Sequence, residues 1–348
     1  MSAEPVVSVI VCTRNRRDNV MPTARAVLQS SHPHVELIVV DQSDDSATRD
    51  ALASLAEDPR LRVLSSTIPG KPRALNLGLE AAEGAIVALT DDDCEPEPDW
   101  IPAIVRAFAA DPGIGCLFGD VAAAPCDLER GFISECRQWQ EATIHSVRGF
   151  LRMPGRTHFG IGASMAVRAD VARRIGGWDP CVGPGARFGS GDDHDMAVRI
   201  LRAGMAVHFS ARARVVHYGF RPWERLGEDN ARFGLGLGAS FAKHLRTGAV
   251  YHGSLRVFRS AVATAAARAA LGRFPIALGL PRGWLRGFAA GMRHPVDRPT
   301  WRFQPVDDRS SRAYAGQMAA VVLRSEMEGT GPDGVSPIAP ADGQRPPP

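Results

Sequence analysis

The stretch "AIVALTDDDCEPEPDW", Ala85–Trp100, decides the fold. Its first six residues are a nearly continuous apolar run, too short for a helix and of ordinary strand length. A run without polar alternation suits a strand covered on both faces, as in a parallel sheet. Three carboxylates follow at once: Asp91, Asp92 and Asp93. Like charges this close repel one another, so local stability does not account for them. Pro96 and Pro98 are expected to stop the strand, with a helix opening near Pro98.

Similar apolar runs lie upstream. They are "VVSVIVCT" (Val6–Thr13), "VELIVVDQ" (Val35–Gln42) and "LRVLSS" (Leu61–Ser66). Helical patterns separate them, over Asn19–Gln29, Ser46–Glu57 and Pro72–Ala82. Strands alternating with helices predict βαβ units in an α/β fold, a doubly wound, mainly parallel sheet flanked by helices. Such sheets bind ligands beyond the carboxyl ends of their strands. Polar clusters stand at those ends: Thr13-Arg14-Asn15, Asp41-Gln42-Ser43-Asp44 and the aspartate triplet.

Several classes are excluded. No GxGxxG follows the first strand and no Walker A pattern occurs, which disfavours hydride transfer and P-loop chemistry. The Gly-rich basic loop of a sugar nucleotidyltransferase is absent there as well. With 348 residues and a net charge of +3, the chain has neither the charge nor the motifs of a dedicated nucleic-acid binder. None of its six cysteines forms CxxC, as expected of thiols in a reducing compartment. The first twenty residues carry no signal-peptide pattern, so a cytoplasmic protein is expected.

Downstream, glycines crowd "GPGARFGSGDD" before a helical pattern with Met196, Ile200 and Leu201 in phase and a Gly204 stop. "AVHFSARARVVHYG" then reads as extended, ending at His217. From Ala211 to Arg302 there are sixteen Lys or Arg against four Asp or Glu. Helical patterns there carry Phe233, Leu237, Phe241 and Leu245. The apolar Ala261–Leu280 is interrupted by Arg268, Arg273 and Pro275, which favours packed helices over a membrane span. A basic surface of this kind leaves room for peripheral contact with the inner face of a membrane. The expected organisation is a first domain over residues 1–220, a basic helical extension over 221–325, and a disordered tail over 326–348.

Each candidate site group has two readings. The aspartate triplet suits a hard divalent cation, Mg²⁺ or Mn²⁺, shared with substrate phosphates; the alternative is a solvated acidic loop with one helix cap. Asp41 could accept a hydrogen bond from a nucleobase, or form an Asx turn. Lys71 or Arg73 could meet phosphate and Asn76 a polar group, or all three could belong to an ordinary amphipathic helix. Asp192 and Asp193 could remove a proton from an attacking hydroxyl, or cap a helix N-terminus. His217 could be a metal ligand or structural, with His208 the weaker rival.

Taken together, "VSVIVCTRNR", "VELIVVDQSDD", "KPRALNLGL", "IVALTDDDCEPEPDWI", "GIGASMAVRADVARRIGGWDP", "GSGDDHDMAVRILRAG" and "VVHYG" resemble glycosyltransferase family 2, inverting enzymes of the GT-A fold. The segments arrive in the family's order over Val6 to Gly219. The resemblance implies transfer of a sugar from a nucleoside-diphosphate sugar to a hydroxyl on a glycan, lipid-linked or small-molecule acceptor. It implies that Thr13, Arg14 and Asn15 line the nucleotide pocket beside Asp41. Lys71, Asn76, Asp91 and Asp92 would belong to the same pocket, and Asp93 and His217 would hold the metal. Asp193 would be the general base, Asp192 stands where the family has Glu, and Trp178 would help form the acceptor wall. Gln42 departs from the Asp or Asn common at its position, so base preference does not carry over. The competing functions are a silent nucleotide- or glycan-binding module on the same scaffold and, further off, a sugar nucleotidyltransferase.

Overall fold

The computed structural model describes residues 5–149, 159–250, 252–271, 278–305 and 313–318. The tail expected to be disordered and part of the Ala261–Leu280 segment lie outside these residues.

The first half alternates as expected: β1 (Val7–Thr13), α1 (Arg17–Leu28), β2 (Val35–Asp41), α2 (Ala47–Leu52), β3 (Leu61–Ser65), α3 (Lys71–Ala81) and β4 (Ile86–Asp91). β1 pairs in parallel with β2 and β4, and β2 with β3. The registers set Thr13 opposite Asp41 and Cys12 opposite Asp91, so the polar strand ends stand side by side.

Beyond β4 the sheet becomes mixed. Cys94–Pro96 forms a short strand, β5, before α4 (Trp100–Ala110). Pro96 therefore closes an edge strand instead of stopping β4, a position where the missing N–H costs no ladder bond. β6 (Ile114–Ala123), β7 (Gly131–Ile133), β8 (Ala142–Ile144) and β9 (Met165–Arg168) follow, then α5 (Ala169–Arg174), α6 (Asp192–Arg202) and β10 (Ala206–His217). The nine-stranded sheet runs β3-β2-β1-β4-β9-β6-β10-β5, with β8 also on β10. β9 is antiparallel to both β4 and β6 and joins the two halves.

Side-chain alternation builds a core on each face. Ile10, Ile38, Val40 and Phe118 pack on one side, and Val9, Val11, Leu37 and Val39 on the other with Trp100 and Ile104 of α4. Each such buried side chain contributes roughly 1.5–3 kcal/mol, so both sheet faces are strongly fixed.

After β10 come β11 (Phe220–Pro222), which pairs with β7, and then, among the described residues, the helices α7 (Leu226–Arg246), α8 (His252–Ala270) and α9 (Gly279–Arg293). Helices thus follow His217, where the sequence pattern predicts them. α7 and α9 cross at backbone contact. A Cβ on Gly238 would lie 2.0 Å from the Trp284 carbonyl oxygen, and one on Gly287 would lie 2.0 Å from that of Leu235. No described helix is long and apolar enough to cross a membrane.

Candidate active site

The acidic triplet sits where parallel pairing puts it, at the end of β4. Thr13, at the end of β1, donates its hydroxyl to Asp92 Oδ2 at 2.8 Å. Asp92 is buried, and burial pushes its carboxyl up to about 6, against the charge of Arg16 and the Thr13 hydrogen bond. Lys71, the first residue of α3, pairs with Asp91 Oδ1. Burial works against the Lys71 charge, but Asp91 and Asp192 outweigh it and hold the ammonium protonated well above its usual range.

Asp93 meets His217 through strand pairing. β10 runs antiparallel to β5 with His217 opposite Cys94, which brings His217 Nε2 to 3.4 Å from Asp93 Oδ1. Nδ1 of His217 lies 2.7 Å from the Ser134 carbonyl oxygen. A carbonyl only accepts, so Nδ1 carries the proton and Nε2 presents its lone pair when the ring is neutral. Burial raises the Asp93 carboxyl, but hydrogen bonds and charge from His217 and Arg16 overcome it and leave Asp93 well below the ordinary range.

These groups fit a divalent cation. Ligand atoms of Asp93, Cys94 and His217 lie within 4.8 Å of one another. The next residue but one after His217 is Gly219, and a Cβ there would lie 2.6 Å from both Asp93 Oδ2 and His217 Nε2. The backbone thus passes too close to the carboxylate and the imidazole for any side chain at this position. Carboxylate and neutral imidazole suit Mn²⁺ well, and a carboxylate with waters suits Mg²⁺.

Asp192 and Asp193 begin α6, after Gly191 in the left-handed region (φ 91°). Asp193 Oδ1 accepts from the backbone N–H and Nδ1 of His194, both at 2.7 Å, and Oδ2 accepts from Gly162 N–H at 3.1 Å. Burial raises its pKa, but charge and hydrogen bonds from His194 outweigh that, so Asp193 is ionised below the usual range. Its neighbour goes the other way. Burial and then the Asp193 charge push Asp192 up to about 7. A Cβ on Gly162 would lie 3.4 Å from Lys71 Nζ. Gly162 therefore joins Asp193 to Lys71, and Lys71 joins Asp91 to Asp192. The acids of residues 91–93 and 192–193, from distant stretches of the chain, thus gather around one site, the candidate cleft.

The other expected residues divide. Asp41 is buried and accepts Ser43 N–H at 2.9 Å, which completes the Asx turn. Arg14 and Asn15 both bond Asp44, tying the loop after β1 to the loop after β2. Asn76 is spent on Trp178, donating to its carbonyl at 2.9 Å and accepting its N–H at 2.7 Å. Trp178 itself is fully buried in the core, so its indole faces no open wall. His208 lies against Glu141 and Thr143 and is not part of the cleft.

Sequence reasoning missed two features. The first is Arg16, whose guanidinium spans Asp92 and Asp93 at 2.7 Å each. The second lies behind α6, where α7 sends a cation inward. Lys243 is fully buried and reaches Asp179 Oδ2 at 2.5 Å and Asp195 Oδ1 at 2.6 Å. His244 Nε2 and Arg199 Nε meet the same Asp195 carboxylate at 2.9 and 2.8 Å. Burial lowers His244 to about 4, so it stays neutral beside Lys243. A signal for this hub did exist in the composition: the chain has only two lysines, Lys71 and Lys243, among 41 Lys and Arg residues. Both are paired with aspartates around the cleft.

Residues 8–176 match the model of glycosyl transferase family 2. A glucosyl-dolichyl phosphate glucuronosyltransferase of Haloferax volcanii is 27% identical over 218 residues, covering 61% of this chain and 68% of the relative. A putative teichuronic acid biosynthesis glycosyltransferase of Bacillus subtilis is 40% identical over 92 residues, 26% of this chain and 36% of the relative. Among solved structures, a mannosyltransferase from Pyrobaculum calidifontis, in complex with GDP-Man and Mn²⁺, superposes with a TM-score of 0.56 at 22% identity. That match covers 94% of this chain and 88% of the other, and it identifies the fold as GT-A.

Proposed function

We propose, from the premise that residues 8–176 are a glycosyl transferase family 2 domain on a GT-A fold, that this glycosyltransferase is metal-dependent and inverting. It moves a hexosyl or deoxyhexosyl group from a nucleoside-diphosphate sugar to a hydroxyl acceptor. The observation that carries the reading is the shared cleft, with Asp193 and Asp91 joined through Gly162 and Lys71.

Asp193 is the general base. Its low pKa keeps it ionised, and three hydrogen bonds fix its direction, so it can take the proton of an acceptor hydroxyl as that oxygen attacks the anomeric carbon. The bond to the diphosphate oxygen breaks as the new glycosidic bond forms, and a single displacement inverts the anomeric centre. A divalent cation held by Asp93 and His217 would offset the charge developing on the leaving diphosphate. Thr13, Asp41, Asp91 and Lys71 form the nucleotide side of the cleft. The buried Trp178 and Asn76 act on it from behind by fixing the turn before the glycine-rich loop. The names of the relatives, one acting on a lipid-linked sugar and one placed in teichuronic acid synthesis, support an acceptor in cell-surface glycan or glycolipid assembly.

The test is a panel of nucleoside-diphosphate sugars with Mn²⁺, reading released nucleoside diphosphate. Asp193→Asn is expected to lower turnover by about 10²–10⁴-fold while nucleotide affinity stays near wild type. A variant that transfers sugar at the wild-type rate would remove the base assignment.

A further inference from the structure

The cleft holds a strong cation that the reaction above does not use. Arg16 follows the loop after β1 and precedes α1. Its Nη1 donates to Asp92 Oδ1 and its Nη2 to Asp93 Oδ2, both at 2.7 Å. The Arg16 side chain is 46% exposed, while those of Asp92 and Asp93 are 5% and 8% exposed. A half-exposed arm therefore lies over two buried acids. Asp93 is also the carboxylate that faces His217, its Oδ1 lying 3.4 Å from Nε2. A cation held by Asp93 and His217 would compete with the guanidinium of Arg16 for the charge of one carboxylate.

We infer that Arg16 is a donor-binding residue held in reserve: it neutralises Asp92 and Asp93, and it would release Asp93 to a metal ion and pair instead with a diphosphate oxygen of the nucleotide. The inference rests on the metal–diphosphate reading of this cleft. The guanidinium is already spread across two oxygens, the geometry it also uses on phosphate. Its neighbours are committed elsewhere, with Lys71 on Asp91 and Arg14 on Asp44. Released from Asp93, Arg16 would still be held beside the acidic triplet by Asp92, within reach of an anion that a cation on Asp93 would attract. The exchange is one of ion pairs alone, with no bond made or broken.

Calorimetry on the full chain tests it with Mn²⁺ alone, and then with UDP and GDP in saturating Mn²⁺. Arg16→Gln is expected to bind Mn²⁺ alone several-fold more tightly, because the competitor is gone. It is expected to bind the nucleoside diphosphate about 10-fold or more weakly, the loss of one charge-assisted hydrogen bond. Arg16→Lys, with charge but no fork, falls between. Because the side chain is half-exposed, the variants should keep the wild-type melting temperature, which is measured alongside. Unchanged or weaker Mn²⁺ binding in Arg16→Gln overturns the inference, and so does unchanged nucleotide affinity. If neither protein binds Mn²⁺, the metal reading falls as well. If both bind it equally and sugar transfer persists, only the role of Arg16 falls.

Discussion

At the scale of single residues, Asp192 and Asp193 illustrate how one helix turn sets two adjacent carboxylates apart. Asp193 collects hydrogen bonds and is ionised early, while burial and the neighbouring charge push Asp192 up to about 7. An unfolded Asp ionises at about pH 4, so between about pH 4 and 7 the native Asp192 retains a proton that the unfolded chain has lost. The unfolded state then binds fewer protons, and stability falls as pH rises through that window. Above it the penalty is constant. Wild type should therefore lose stability relative to Asp192→Asn from about pH 4 to 7, by at most about 1.4 kcal/mol per pH unit. Urea denaturation at stepped pH reads this, and a difference that does not vary with pH would mean an ordinary Asp192. The acidic groups themselves were legible in sequence because strand ends and a helix start fix where they stand. Asn76 and Trp178 were not, because the amide is consumed by a backbone turn 102 residues away. Arg16 was hidden in the run "RNRR", where nothing local distinguishes the arginine that turns inward.

At the scale of elements, the long apolar runs of β1, β2 and β4 were plain because both their faces are buried. The three-residue strands β5, β7, β8 and β11 were not, since so short a segment shows no period and is defined only by its partner. The same limit applies to the α7–α9 contact. Its helices could be read, but not that their glycines interlock. Within α7 the glycines divide by surroundings. Gly238 faces the Trp284 carbonyl, whereas a Cβ on Gly227 would meet nothing within 4 Å. Gly238→Ala is expected to destabilise by about 1–3 kcal/mol as the helices are forced apart. Gly227→Ala should instead stabilise by about 0.5–1 kcal/mol through helix propensity. Equal effects of the two substitutions on the urea midpoint would show that the contact is not limiting.

At the scale of the whole molecule, composition suggested a first domain followed by a basic extension. The buried hub connects the two more closely than that division implies. Lys243 of α7 lies between Asp179, beside Trp178, and Asp195, two residues beyond Asp193. This pairing spans 64 residues of chain from Asp179, and no local pattern announces it. Lys243→Met leaves two buried carboxylates short of a partner and is expected to cost about 3–5 kcal/mol, read by denaturation. A chain ended at residue 220 loses the same partner and should lack a cooperative transition. The scarcity of lysine has a practical side as well. With Lys243 sealed in the interior and Lys71 held by Asp91, the described part of this protein offers acylating reagents a single amine within reach, and it stands in the cleft. Covalent tagging there would be slow and would slow further when the cleft fills, so the extent of acylation at Lys71 is a built-in gauge of occupancy.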